Sequence, residues 1–252
     1  SADSVARWLI FMRNSAIKGM TSILRADMKY TRLFAKIAFK SIPAKSIPVT
    51  ITQRVADVNG KLRVNVCITA LEDIYFNYSQ RLSTGYRHDD CQFYMPGFWY
   101  RRNLRSPKDA PSFHSSDSWL VREDRLSAPL TGVYSEKEKH FVTVSRIDKF
   151  AEEALSTHRE GEIILSGKTS LGFTGFENQD GITALSFGFP YREAPKSYIR
   201  KLTLAPAVEA FQFLKKGETV LLTWEIQENK ADDYSDFIRH AWEYSYDTYG
   251  PK

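Results

Sequence analysis

The stretch KLRVNVCI, residues 61–68, constrains the fold more than any other part of the chain. Leu62, Val64, Val66 and Ile68 alternate with Arg63, Asn65 and Cys67. A period of two places apolar side chains on one face of an extended strand. Just upstream, Asn59-Gly60 closes the β-branched run IPVTITQRVADV. Asn-Gly supplies the positive φ angles of a two-residue turn, so these runs are predicted to form an antiparallel hairpin. The run IYFNYSQRL extends the pattern, and further strands are predicted at 92–94, 119–122, 130–134, 140–146, 162–166, 171–176, 182–189, 201–204 and 219–227. Many short strands punctuated by Gly and Pro specify an antiparallel sandwich or barrel rather than a parallel sheet with crossover helices.

Both ends depart from this pattern. Residues 1–45 alternate basic and apolar side chains at near-helical spacing and are set apart as a basic leader-like or helical segment. They carry nine Lys/Arg against Asp3 and Asp27, a net +7, so the remaining residues, with 26 basic and 28 acidic side chains, sum to −2. The chain's +5 is therefore a property of this segment, and the body offers no basic field for a nucleic acid. No apolar run reaches the roughly 18 residues of a membrane span. At the other end, Phe237, Ala241 and Tyr244 fall at i, i+4 and i+7 after Asp232 or Asp233 as N-cap, with Ile238 and Trp242 beside them. That is a helix with a wide aromatic stripe, stopped by Gly250-Pro251. The predicted organisation is thus 1–45, a β-sandwich over 46–230, and a helix within 231–252.

Two stretches hold the candidate functional residues. PGFWYRRN, residues 96–103, turns at Pro96-Gly97 and then offers Trp99, Tyr100, Arg101 and Asn103. SWLVREDR, residues 118–125, offers Trp119, Arg122, Glu123, Asp124 and Arg125. Aromatic rings next to Arg and Asn suit a carbohydrate, whose CH faces stack on rings while planar polar groups bond its hydroxyls. The competing reading is a packed corner with salt bridges. Shared composition predicts that the two stretches meet in one rim. There Arg101 or Arg102 would reach Glu123 or Asp124, and Trp99 and Trp119 would form a platform. As strand neighbours, Glu123 and Asp124 would point to opposite faces, and flanking arginines would hold them ionised, which suits binding better than general acid catalysis. His114, in the loop between the stretches, is a lone histidine, and no catalytic residue is assigned. The Cys and His spacings fit no zinc site. Cys67 and Cys91 could form a disulfide, though two buried thiols fit better. No dinucleotide, P-loop or nucleophile-elbow motif is present, and no cofactor is expected.

PGFWYRRN, SWLVREDRLSAPLTGVY, HFVTVSRID, and FQFLKKGETVLLTWEIQ with DYSDFIRHAWEYSYDTYGP together resemble the N-terminal domain of glycan-processing proteins of gut Bacteroidetes. Those are six-hairpin, glycoside hydrolase-like proteins. The resemblance spans residues 46–252. It implies an antiparallel β-supersandwich of the galactose-mutarotase-like type with a linker helix leading to an (α/α) toroid. It also implies a glycan as ligand, the toroid as intramolecular partner and main catalytic unit, and a periplasmic or cell-surface location. Residues 1–45 have no counterpart in it. A stand-alone carbohydrate-binding module, a small mutarotase-like or lyase enzyme using His114 or Glu123, and a membrane-surface protein acting through residues 1–45 are the alternatives.

Overall fold

The computed structural model describes residues 15–20, 48–103, 113, 115–148, 157–160, 163–166, 169–198, 203–205 and 207–250. His114 and most of residues 1–45 lie outside these. In chain order the strands begin with β1 (Ser15–Met20), β2 (Val49–Val58), β3 (Lys61–Ala70), β4 (Ile74–Arg87), β5 (Cys91–Met95) and β6 (Trp99–Arg101). Next come β7 (Ser118–Arg122), β8 (Leu130–Ser135), β9 (His140–Arg146), β10 (Thr157–Glu160), β11 (Ile163–Ser166) and β12 (Phe173–Gln179). They end with β13 (Ile182–Phe189), β14 (Arg192–Glu193), β15 (Lys196–Tyr198), β16 (Thr203–Ala205), β17 (Val208–Leu214) and β18 (Thr219–Lys230), followed by helix α1 (Tyr234–Tyr249).

One sheet has seven strands in the order β2-β3-β18-β9-β8-β5-β6. A second has nine: β10-β11-β17-β4-β13-β12-β7, with β1 on β4 and β14 on β17, and β15 and β16 pair as a separate two-stranded ribbon. Pairing among the described strands is antiparallel, apart from β11 on β17. The chain is thus an all-β antiparallel sandwich with a C-terminal helix. The predicted hairpin is present: β2 and β3 pair from Val58↔Lys61 to Val49↔Ala70, around Asn59 and Gly60 at φ 55° and 76°. One expectation at the N-terminus is corrected. Residues 15–20 are not helical but pair along β4, from Ser15↔Gln80 to Met20↔Tyr75.

Alternation fills the space between the sheets. Val64, Val66 and Ile68 of β3 and Leu222, Trp224 and Ile226 of β18 face Phe76 and Tyr78 of β4 and Leu185 and Phe187 of β13. The odd-numbered Arg63 and Asn65 face outward, as the sequence requires. Burying this much aromatic surface is the main stabilising contribution, about 1.5–3 kcal/mol for each large side chain.

A second apolar layer covers the outer face of the seven-stranded sheet. Tyr94, Leu130, Tyr134 and Phe141 point away from the central core and receive Tyr234, Phe237, Ala241 and Tyr244 of α1. Asp233 caps the helix, accepting the Asp236 N–H at 2.9 Å. Phe237 sits fully buried with rings of Tyr134, Phe141, Tyr94 and Tyr234 around it at 5.1–6.2 Å. Gly132 makes this packing feasible, because a Cβ there would lie 2.7 Å from the Phe237 ring. Strands β5, β8 and β9 are therefore covered on both faces.

Cys67 and Cys91 are free thiols. They lie on β3 and β5, with β18, β9 and β8 between them. Four strand spacings of about 4.8 Å far exceed disulfide reach. Burial pushes the Cys91 thiol up to about 11.

Candidate functional site

The stretch 96–103 folds as a tight reversal at the end of the seven-stranded sheet. Phe98 N–H donates to the Met95 carbonyl at 2.9 Å, and β6 returns along β5 with Met95↔Trp99 and Phe93↔Arg101. Strand alternation then separates neighbours. Trp99 turns into the core with no exposed surface, its indole N–H donating to the Arg101 carbonyl at 3.0 Å. Tyr100 turns outward and is 51% exposed.

The stretch 118–125 divides in the same way. Trp119 and Val121 of β7 enter the core, while Leu120 and Arg122 face the outer side of the nine-stranded sheet. The two stretches do meet, but through their buried rings: Trp99 and Trp119 lie 5.0 Å apart, and the Ser127 N–H donates to the Pro96 carbonyl. The expected platform is therefore corrected. Trp99 and Trp119, at 0% and 1% exposure, are core residues and offer no face to a ligand.

The expected ion pairs are replaced as well. Residues Glu123–Arg125 form a 3-10 turn rather than strand, which rolls Glu123 inward and leaves Asp124 and Arg125 exposed. Glu123 meets Arg146, not Arg101 or Arg102. The Arg146 Nη1 donates to Glu123 Oε2 at 2.9 Å and to the Ser170 carbonyl at 2.8 Å, and its Nε donates to Asp148 Oδ2 at 3.0 Å. The Gly172 N–H also donates to Glu123 Oε2, at 2.8 Å. Glu123 Oε1 is buried without a partner. Desolvation outweighs Arg146 and holds the Glu123 carboxyl above its ordinary range. Around this cluster, Arg122 binds Asp124 and lies 4.9 Å over the Tyr191 ring, and Arg125 pairs with Glu193 at 2.7 Å. Arg102 donates to the Cys91 and Asp89 carbonyls and covers Phe113. Arg122, Asp124, Arg125 and Glu193 thus brace the outer side of the nine-stranded sheet, Arg146 and Glu123 form a buried pair between β9 and the turn after β7, and Arg102 ties the end of β6 to the start of β5.

What remains exposed on the Tyr100 side is a ledge made by three elements. Tyr94 of β5, itself only 2% exposed, lies 5.5 Å from Tyr100 of β6, and the Trp242 side chain of α1 comes close to its hydroxyl. Trp242 is 70% exposed, and Tyr246, one turn on, is 71% exposed. Arg101 sits beside them at φ 54°, its guanidinium 5.2 Å over the Tyr234 ring, and Asn103 follows in the turn, donating its N–H to the Tyr100 carbonyl. The Tyr234 hydroxyl locks the helix to this edge. It accepts the Arg101 N–H at 2.9 Å and donates to the Phe93 carbonyl at 2.8 Å. Two solvent-facing rings thus stand over a buried phenol, with a guanidinium alongside: flat apolar faces with hydrogen-bonding groups at their rim. Of the residues predicted from sequence, Tyr100, Arg101 and Asn103 belong here. Trp242 and Tyr246 were not singled out as contact residues from the sequence, where they lie within the helix, and Tyr94 lies buried, as its strand position suggests. Among the described residues, no group of three or more His, Cys, Asp or Glu side chains could hold a metal ion, and no helix is long and apolar enough to cross a membrane.

No protein-family model matches the chain, and no curated protein sequence does. Solved structures align with it only loosely. The Slr1438 protein of Synechocystis aligns at TM-score 0.38 and 8% identity, over 86% of this chain and 61% of its own length. A galactose mutarotase related enzyme from Lactobacillus acidophilus aligns at TM-score 0.41 and 13% identity, over 88% of this chain and 70% of its own. A provisionally assigned aldose 1-epimerase from Klebsiella pneumoniae aligns at 0.41 and 9%, over 81% and 53%. Superposition this loose carries no argument beyond itself, and the sandwich rests on the strand order described above.

Proposed function

We propose that this chain is a sugar-contacting β-sandwich that serves an exported, polysaccharide-degrading glycoside hydrolase-like protein as an accessory domain. On this reading α1 links the sandwich toward a catalytic toroid, and the site of action is periplasmic or at the cell surface. The observation that carries the proposal is the ledge: Tyr100 and Trp242, both solvent-exposed, stand over the buried Tyr94 ring, with Arg101 beside them. Large exposed aromatics are unusual on a surface that has no partner, and paired rings with hydrogen-bonding groups at their edge suit the apolar and hydroxylated faces of a glycan. Position adds support, since the ledge lies on the helix that would carry the chain toward a neighbouring domain.

Isothermal titration of the protein with a panel of neutral and acidic oligosaccharides tests this. At least one glycan class is expected to bind, and Trp242→Ala or Tyr100→Ala to weaken it at least tenfold, about 1.4 kcal/mol, with the melting temperature kept. Binding that is absent across the panel, or unchanged in both variants, would overturn the proposal.

A further inference from the structure

A cleft between the two sheets, away from the ledge, has the features of a second binding site. It has a volume of about 450 Å³ and lies at the end of the sandwich where β4 meets the ends of β8, β9 and β18. That falls within the roughly 300–1,000 Å³ of small-molecule sites. Its inner wall is made by Tyr86, His140 and Glu228. The Tyr86 hydroxyl lies 3.0 Å from His140 Nδ1, and Glu228 Oε1 lies 3.6 Å from the same nitrogen.

Tyr86 reaches this position because β4 is irregular. Against β13, Ile182 pairs with Arg87 but Ala184 pairs with Ser83, so β4 spends two more residues than its partner between these points. Gly85, at φ +75°, makes the bend. Thr84 clamps it: its hydroxyl donates to the Thr183 carbonyl at 2.9 Å and accepts the Tyr86 N–H at 3.2 Å. A bulge of this kind re-aims a side chain, and here it sends the Tyr86 hydroxyl across to the opposite sheet. His140 is the first residue of β9, and Glu228 stands near it on β18, two residue pairs along the ladder and so on the same face. Sandwich cores ordinarily end in apolar or solvated positions. This one ends in a phenol, an imidazole and a carboxylate that converge on one cavity.

We propose that this cleft binds one pyranose-sized polyol. The assignment of the ligand as a sugar rests on the glycan reading of the ledge; the site itself rests on the cavity and its wall. The chemistry points to a neutral, hydroxylated molecule. Basic Arg87 and Lys137 are offset around the rim by Asp90, Glu138 and Glu228, so no single-sign field selects a strong anion or cation. The Glu228 carboxylate can accept from two neighbouring hydroxyls, His140 and Tyr86 can each donate or accept, and the Tyr86 ring gives a CH face something to lie on.

The test follows the His140 ring signals by NMR while glucose, galactose or inositol is added. A saturable shift is expected for at least one of them. It should weaken at least tenfold in Glu228→Gln and in Tyr86→Phe, and remain in Trp242→Ala. Both cleft variants keep side-chain shape, and their melting curves report whether the sandwich is intact. No saturable shift at His140 would overturn the cleft proposal, and oligosaccharide binding that Trp242→Ala still abolishes would leave the ledge standing. A His140 response with no oligosaccharide binding would support the cleft and defeat the ledge. A shift that both cleft variants leave unchanged would place the sugar elsewhere and overturn the site.

Discussion

Replacing Arg146 by Met is expected to expose the cost of the buried charges at the corner, and to do so in a pH-dependent way. Arg146 and Glu123 have side chains only 4% and 1% exposed, 2.9 Å apart. Removing one member of a buried pair leaves the other unpaired and typically costs about 3–5 kcal/mol. Here Glu123 would keep only the Gly172 N–H, and Asp148 would keep the Thr223 N–H. Burial already holds the Glu123 carboxyl above its ordinary value of 4.5, with Arg146 the chief opposing influence. Without Arg146 it should rise further. A carboxyl whose folded value exceeds its unfolded one binds more protons in the folded state. Its contribution to stability is present below the unfolded value and is lost as pH rises through the window above it. The Arg146→Met penalty should therefore be largest near pH 8 and shrink toward pH 5, with a slope of at most about 1.4 kcal/mol per pH unit. Urea unfolding of wild type and variant at several pH values measures this. Adding Glu123→Gln to Arg146→Met should recover stability at pH 8 and flatten the slope, a coupling that a double-mutant cycle isolates. A penalty under about 1 kcal/mol, or one that does not change with pH, would refute the reasoning.

Two further outcomes test the helix layer. Phe237→Ala should cost about 3–5 kcal/mol in chemical denaturation, because the ring is fully buried among four others. Gly132→Ala should cost about 1–3 kcal/mol by pushing a Cβ to 2.7 Å from that ring, and combining the two should cost less than their sum, read from the same denaturation curves.

The sandwich was legible where one sheet face meets solvent. KLRVNVCI shows the period of two because β3 is buried on one face and accessible on the other. LTGVYS and HFVTVSR, in β8 and β9, show it poorly because α1 covers their second face and their residues are almost all buried. Strand β17 escaped notice because the adjacent Ala210 and Phe211 are both fully buried, which masks the alternation. The helix and its stripe could be read directly, since Asp233, Phe237, Ala241 and Tyr244 are local in sequence. The site was not local. Composition singled out REDR, but the partner of Glu123 is 23 residues away at Arg146. Trp99 and Tyr100 look equivalent in sequence, and only the register of a three-residue strand decides that one is core and the other surface. Tyr94, Tyr100 and Trp242 come together only in three dimensions.

The Tyr234 hydroxyl, shared between the Arg101 N–H and the Phe93 carbonyl, has a consequence for local opening. A three-residue edge strand held only by its neighbour would fray on its own, and its amides would exchange with solvent quickly. Tied through Tyr234, β6 can open only when the first turn of α1 lifts from β5. In hydrogen exchange the Arg101 amide should then be as slow as the amides of the helix's second turn, and Tyr234→Phe should release it selectively while leaving β3 and β18 protected. Edge strand and helix would behave as a single foldon.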